Sequence, residues 1–447
     1  MSLTDRNQGA AGAPATPPPG SGRRGTTVAD VVRAVTTSPL PVRVIAYDGS
    51  AIGPADAGIT LSIRSERGLS YLLTAPGDLG MARAYVSGDL ALSGVHPGDP
   101  YEALRVLKDE LRVRPPALAE GLALVRGLGW ERLLPPPTPP QEAQPRWKRI
   151  VAGLRHSRSR DSNAISHHYD VSNAFYEKVL GPSMTYTCAV FRSPEDTLEQ
   201  AQATKYDLVA GKLGLRAGMR LLDVGCGWGG MIRHAAREYG VKALGVTLSR
   251  SQARWAQAAI EREGLAGLAE VRHMDYRDAP REQFDAVSSI GLTEHIGVRN
   301  YPAYFGFLRD RLRPQGRLLN HCITRADNRA PHRSGAFIDR YVFPDGELAG
   351  PGRVISEVHD VGLEVHHEEN LRRHYALTLA GWCRNLVRHW DFCVSEVGTG
   401  TARVWGLYMA GSRLAFERNG IQLHQVLATR NDAQGASGYP LRPDWLP

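Results

Sequence analysis

The sequence predicts an α/β fold: a doubly wound, mostly parallel sheet over the C-terminal two-thirds, preceded by a smaller N-terminal α+β region. Three observations carry this expectation. From about residue 200, short apolar runs alternate with amphipathic helical patterns. A glycine-rich turn follows the first run and opens a helix. Six prolines within residues 135–145 set this part apart from what precedes it.

Taken in order, residues 1–26 are rich in Ala, Gly and Pro and read as a disordered tail. Residues 27–125 read as globular. Val42, Val44 and Ala46 alternate, Asp48-Gly49-Ser50 supplies a turn, and Ile59, Leu61 and Ile63 alternate again, which together predicts a hairpin followed by helices. Residues 126–160 hold the proline-rich linker and a basic segment. Arg146–Arg160 carries six Lys/Arg and no acid, with Trp147, Ile150, Val151 and Leu154 at helical spacing. Such a helix can lie on an anionic membrane surface, or dock its apolar face on the rest of the protein as a linker. Both readings stay open.

Residues 161–430 hold the expected main domain. Leu221–Val224 is the first buried strand, followed by a helix through Tyr239. Ala243–Val246 is the second, followed by a helix from Ser251 to Gly264. Further strands read at 269–275, 284–290 and 316–323. Helical patterns at 374–395 and 402–418 and a strand near 421–428 close this part, leaving 431–447 as a tail.

Composition narrows the function classes. No apolar run reaches the roughly 18 residues of a membrane span, and the N-terminus lacks a signal-peptide core. The five cysteines are odd in number and form no zinc pattern, which predicts reduced cytoplasmic thiols and no metal. The net charge of +8 admits an anionic partner, membrane or nucleic acid. A nucleic-acid-binding reading finds no recognition helix, RNA-binding aromatic motif or zinc pattern to support it.

The turn itself reads Gly225-Cys226-Gly227-Trp228-Gly229-Gly230. A dinucleotide site would need G-x-G-x-x-G and an acid about twenty residues on for the ribose. Here the spacing is G-x-G-x-G, and the second strand ends in Gly245-Val246-Thr247, which disfavours a nicotinamide cofactor. Asp223-Val224-Gly225-Cys226-Gly227-Trp228-Gly229 resembles methyltransferase motif I instead. Thr247 and Gln252 stand where ribose hydroxyls need partners, and Asp275-Tyr276 can hydrogen-bond to and stack on adenine. Singly, a Thr or Asp after a strand is more often a helix cap. In register with the turn they predict S-adenosylmethionine.

A wider pattern then emerges. His167-His168-Tyr169-Asp170, Ser183 to Ala189, Leu221 to Gly230, Thr293-Glu294-His295, Asn320-His321-Cys322-Ile323 and His374 to Leu379 resemble the cyclopropane fatty acid synthase family over about residues 162–430. Ala84 to Leu90 resembles the extra N-terminal domain of its longer members. The chain is most similar to the long actinobacterial type that makes 10-methylene or 10-methyl-branched fatty acids. The resemblance implies a sheet of the class I methyltransferase type and methyl transfer to the cis double bond of an unsaturated acyl chain on a phospholipid. It implies a bicarbonate ion as base, held by Cys188, Glu294, His321, Ile323 through its backbone, and Tyr375. It also places Tyr169, Tyr186 and Thr187 beside the cofactor.

Two departures bear on the product. Leu292-Thr293 precedes the acid where many cyclopropane-forming members carry an aromatic, and Cys322 replaces a more usual Thr. The expected product is a methylene-branched chain, with cyclopropane as the alternative and a small-molecule methyltransferase as a more distant one. The expected partners are the phospholipid, an anionic membrane surface to which the enzyme binds peripherally, and a separate flavin- or nicotinamide-dependent reductase. A homo-oligomer is left open.

Overall fold

The computed structural model describes residues 25–143, 172–329, 335–344 and 346–445. Most of the expected N-terminal tail, the basic segment Arg146–Arg160 and the string containing Tyr169 lie outside the described residues.

The large sheet has seven strands. In chain order they are β5 (Arg220–Val224), β6 (Lys242–Thr247), β7 (Ala269–His273), β8 (Phe284–Ile290), β9 (Leu312–Arg325), β10 (Glu364–Asn370) and β11 (Ile421–Thr429). Across the sheet they run β10-β11-β9-β8-β5-β6-β7. Only β11 runs against its neighbours; the remaining pairings are parallel. The central strands β5, β6 and β8 are buried on both faces, as parallel strands between helix layers require. Leu221, Leu319 and Leu427 face one layer, with Tyr206, Ile232 and Ala256 packed on them. Leu222, Leu318 and Val426 face the other, against Tyr304, Leu308 and Val354. The helix Leu198–Leu213 starts from a capping box made by Thr197 and Gln200 and stops at Gly214 in the left-handed region. Strand β10 escaped the sequence reading because Glu364–Asn370 is polar and lies at the sheet edge.

The strand order reverses beside β5, whose neighbours are β8 and β6. At such a switch point the connections leave in opposite directions and open a crevice at the carboxyl ends of the strands. The glycine turn sits there.

The N-terminal region forms its own four-stranded sheet, ordered β2-β1-β3-β4, from β1 (Arg43–Ala46), β2 (Ala51–Ile52), β3 (Thr60–Ile63) and β4 (Leu90–Ser93). The predicted hairpin is corrected. β1 and β3 pair in parallel, Val44 opposite Leu61. The Asp48–Ser50 turn instead joins β1 to the two-residue β2. Alternation reports which face is buried, and both strands bury it as read, but it carries no information on strand direction.

Two helices at the end of the chain join the parts. Arg372–Arg388 is followed by Trp390–Glu417, which bends at Gly398 (φ 79°). The second helix packs Val404, Trp405 and Tyr408 into the large core with Phe175 and Tyr176. It also meets the N-terminal region: Arg403 donates to the Tyr85 carbonyl at 3.0 Å, and the Arg413 guanidinium lies 3.8 Å from the Tyr101 ring centroid. The proline-rich run is itself anchored. The Tyr71 hydroxyl donates to the Pro137 carbonyl, and the buried Glu142 carboxylate accepts two 2.7 Å bonds from Arg83. The last residues also pack, with the Tyr439 ring stacked on His366 at 4.1 Å.

Candidate active site

Backbone conformation shapes the first cavity. Gly225 and Gly227 adopt φ of 77° and 56°, a region that side chains disfavour. A Cβ on Gly225 would lie 3.1 Å from Leu292, whereas one on Gly227 would project into open space. That open space is a cavity lined by Tyr186, Thr187, Asp223, Gly225, Gly227, Thr247, Gln252 and Tyr276, all expected beside the cofactor.

Two residues of the sequence reading are not brought onto that wall. Gly229 faces Ala256 and Val271, where its lack of a side chain serves packing between helix and sheet. The Asp275 carboxylate is engaged by Arg277, with Nε donating at 2.7 Å, and it caps the turn that follows. Its neighbour Tyr276 lines the cavity instead. Thr247 donates to the Gln252 side-chain oxygen at 2.9 Å, so the two form one polar unit. Asp223 is buried at the end of β5 and accepts from Ser288 at 2.6 Å. Burial pushes its carboxyl up to about 6, against the opposing effects of Ser288 and Lys205.

A second, far more apolar cavity of about 880 Å³ adjoins the first. Glu294, His321, Ile323 and Tyr375 line it. The Ile323 N–H donates to one Glu294 oxygen at 2.7 Å. Its backbone N–H therefore orients the acid. The other Glu294 oxygen is buried with no hydrogen-bond partner among the described residues. Burial pushes this carboxyl up to about 7.

His321 is fully buried on β9, and burial holds its imidazole neutral, with Lys205 and Lys212 acting in the same direction. Its tautomer follows from a chain of hydrogen bonds. The buried Lys212 ammonium donates to the Gln425 side-chain oxygen at 2.7 Å. That turns the Gln425 amide nitrogen toward His321 Nδ1, 3.1 Å away. Nδ1 must accept, so the proton resides on Nε2, which lies 3.2 Å from the Thr187 hydroxyl.

The Cys188 thiol donates to the Ala189 and Leu371 carbonyls, and the residue lines neither cavity. Burial raises its pKa, so it stays a thiol. The strand-like segment around it is held by Gln202, which donates to the Thr187 carbonyl at 2.9 Å, and by Thr378, which accepts from the Ala189 N–H at 2.9 Å. Thr293 and Cys322, singled out as departures, also stand away from both cavities. Thr293 donates to Asn320 at 2.7 Å, and Asn320 donates to Cys322 at 3.4 Å. Alternation along β9 explains this: His321 and Ile323 point to the cavity, Asn320 and Cys322 to the opposite helix layer. Leu292, by contrast, lines the first cavity.

Sequence reasoning missed Lys205, Tyr206 and Trp228 in the first cavity, and Phe343, Leu407, Tyr408 and Phe416 in the second. The helical pattern at 402–418 was visible, but nothing in it said which apolar residues would face a cavity. Leu90, Leu92, Leu104 and Leu107 of the N-terminal region also line the second cavity. Tyr186, Thr187, Gly291 and His295 line both cavities.

Known proteins match this arrangement. Residues 156–426 match the family described as mycolic acid cyclopropane synthetase. A probable fatty acid methyltransferase of Mycobacterium tuberculosis is 60% identical over 94% of this chain and 99% of its own length. The cyclopropane-fatty-acyl-phospholipid synthase of Escherichia coli is 34% identical over 60% of this chain and 68% of its own. Among solved structures, mycolic acid cyclopropane synthase CmaA1 complexed with SAH and CTAB superposes with a TM-score of 0.57 at 31% identity, covering 60% of this chain and 97% of that one.

The first cavity fits S-adenosylmethionine. It offers a glycine turn open to a ligand, a buried Thr–Gln pair, the Tyr276 ring and, at Lys205, a buried ammonium with no hydrogen-bond partner among the described residues. The substitution Gly227→Val fills the open space beside the turn. Calorimetric affinity for S-adenosylhomocysteine is expected to fall by about 100-fold or more, on the order of 2.7 kcal/mol, with the circular dichroism spectrum unchanged. Unaltered affinity would remove the turn from the cofactor site.

Proposed function

The chain belongs to the mycolic acid cyclopropane synthetase family and is an S-adenosylmethionine-dependent methyltransferase; from that premise we propose that it methylates the cis double bond of an unsaturated acyl chain carried by a phospholipid. The supporting observation is the meeting of two unlike cavities at one wall. One is smaller and more polar and holds the glycine turn; the other is large and apolar and holds a buried acid, imidazole and phenol. A methyl group crossing from one to the other passes Tyr186, Thr187, Gly291 and His295.

S-adenosylmethionine supplies an electrophilic methyl group. An isolated alkene is a weak nucleophile, so the protein's task is to align it and keep water away. The apolar lining draws the acyl chain in by burying its surface. The rings of Tyr186, Tyr408 and Phe343 line the same cavity, and aromatic faces tolerate the positive charge that the acyl chain gains.

A proton must then leave. We assign the acceptor to a bicarbonate ion among Glu294, His321 and Tyr375. The unpartnered Glu294 oxygen and the protonated His321 Nε2 suit an anion that both donates and accepts. Glu294, pushed up to about 7, can take the proton onward near neutral pH. Cys188 and Ile323 support this cradle from behind, the first by its place in the chain beside Thr187 and the second by orienting Glu294.

We favour a methylene-branched product over a cyclopropane, on kinship with the longer members. Both arise from one cation: direct loss of a proton from the new methyl with ring closure, or a hydride shift followed by that loss. Because Thr293 and Cys322 stand behind β9, their influence on this choice would pass through Asn320 and the placement of Glu294. A methylene product calls for a separate reductase, since no second nucleotide motif is seen. No helix among the described residues is long and apolar enough to cross a membrane. Access to phospholipid therefore falls, in this reading, to peripheral docking at the cytoplasmic face, with the basic segment Arg146–Arg160 as the contact.

Four outcomes follow. The substitution Glu294→Gln lowers kcat by roughly 10²–10⁴-fold, the usual range for acid–base groups, with S-adenosylhomocysteine affinity retained. In the unaltered enzyme kcat falls as pH drops below about 7, because the protonated Glu294 no longer accepts, and the variant lacks this limb. A flat profile in both would move the base elsewhere. Proton NMR of the lipid product decides its form: signals in the alkene region are expected, and far-upfield ring protons alone would restore the cyclopropane. Finally, Leu104→Trp fills the part of the cavity that the N-terminal region lines. The expected effect is a selective loss of turnover on longer acyl chains at unchanged cofactor affinity; an unaltered chain-length profile would place the acyl chain elsewhere.

A further inference from the structure

We propose that Lys205 is the counter-charge for the carboxylate of the methionine part of the cofactor, with Asp223 facing its ammonium group. The proposal rests on the cofactor assignment and is independent of the lipid substrate. Lys205 lies on the helix Leu198–Leu213, is fully buried, and its ammonium nitrogen has no hydrogen-bond partner among the described residues. That nitrogen lies 3.5 Å from the Tyr206 ring centroid, and Lys205 lines the cofactor cavity beside Thr187, Asp223 and Gly225.

A buried, unpaired ammonium is among the least favourable placements in a folded protein. The same helix shows the ordinary remedy. Lys212, two turns further on the same face, is equally buried, and it is bonded to Glu369 and Gln425. Lys205 has no such partner among the described residues, and it borders a cavity that must receive a zwitterion. Asp223, whose charge acts on Lys205, accepts from Ser288 with one oxygen.

The distribution of charge along the cavity matches the ligand. Lys205 belongs to a helix that packs toward β9, and Asp223 ends β5. The neutral groups Thr247, Gln252 and Tyr276 follow β6 and β7, on the far side of the switch point. One end therefore carries a positive and a negative group for the amino acid, and the other offers uncharged polar and aromatic groups for the nucleoside. An anion in the acyl cavity is the rival ligand. Lys205 lines only the cofactor cavity, however, while His321 and Glu294 line only the other.

Proton linkage gives a readout separate from activity. Burial pushes Lys205 down to about 7, so at pH 8 it is mostly neutral before the ligand binds. A carboxylate beside it restores the charge, and the complex takes up a proton. The groups that face it do not interfere at that pH. Asp223, pushed up to about 6, is ionised; Tyr206, pushed up to about 12, is neutral; Cys188 is raised and stays a thiol; His321 is lowered and stays neutral.

The test is calorimetry on the full chain at pH 8, in buffers of different ionisation enthalpy. The ligands are S-adenosylhomocysteine, which carries the carboxylate, and 5′-methylthioadenosine, which lacks the amino acid. The substitution Lys205→Met should weaken the first by about 30-fold or more, the usual consequence of truncating one partner of a buried charge pair. It should change the second by less than about threefold, abolish the Lys205-dependent proton uptake, and raise the melting temperature of the ligand-free protein. Equal weakening of both ligands, or undiminished S-adenosylhomocysteine affinity, would overturn the proposal. So would intact cofactor binding accompanied by a shift in the bicarbonate concentration needed for turnover, which would hand the ammonium to that ion. The unaltered protein supplies a check that no folding defect can confound: decarboxylated S-adenosylmethionine should bind more weakly than S-adenosylmethionine and without the extra proton, and equal affinity and equal uptake would overturn the assignment.

Discussion

Desolvation governs the centre of this protein. Burial is the leading cause of every perturbed group around the two cavities: it pushes Asp223 up to about 6 and Glu294 up to about 7, brings Lys205 down to about 7, and keeps His321 neutral. Each shift moves the group toward its uncharged form, as transfer from water to a low-dielectric interior demands. The result is a set of side chains that can gain or lose a proton near neutral pH, arranged where water is excluded. Such a set is stable only because its neighbours are fixed elsewhere by hydrogen bonds that do not themselves face a ligand.

Strand β9 supplies much of that fixing. Its alternation sends His321 and Ile323 to the cavity and Asn320 and Cys322 to the helix layer behind. Antiparallel pairing with β11 sets Gln425 directly opposite His321. The buried Lys212 orients the Gln425 amide, and Gln425 in turn dictates which imidazole nitrogen keeps its proton. A lysine that lines neither cavity thus controls the hydrogen-bonding character of a histidine that lines one. Ile323 plays a comparable part for Glu294, engaging one carboxylate oxygen and leaving the other buried without a hydrogen-bond partner among the described residues.

The N-terminal region is tied into the same interior. Leu90, Leu92, Leu104 and Leu107 form part of the apolar cavity wall, opposite Leu407, Tyr408 and Phe416 of the large core or its last long helix. The Arg83–Glu142 pair, with Tyr341 near the same carboxylate, anchors the end of the proline-rich run to residues on the other side of the cavity. A buried carboxylate of this kind holds position more than it adds stability, because its desolvation offsets most of the attraction. The helix Trp390–Glu417 then faces two cores at once.

The sequence by itself determined the doubly wound sheet, the glycine turn and the family, because apolar periodicity and short-range spacing are properties of contiguous residues. It also named Glu294, His321 and Tyr375, which the fold brings to one cavity from β8's end, β9 and a distant helix. What it could not supply was direction and depth. The alternating strands Arg43–Ala46 and Thr60–Ile63 were visible, yet their parallel pairing was not, since period-2 burial is the same for either direction. Cys188, Asp275, Thr293 and Cys322 were correctly seen as neighbours of site residues, but each turns away from the cavities, because one step along a strand or turn reverses a side chain's face. Lys205 carried no local signal at all: a lysine on an amphipathic helix reads as solvated, and only the packing of that helix against β9 takes its ammonium out of water.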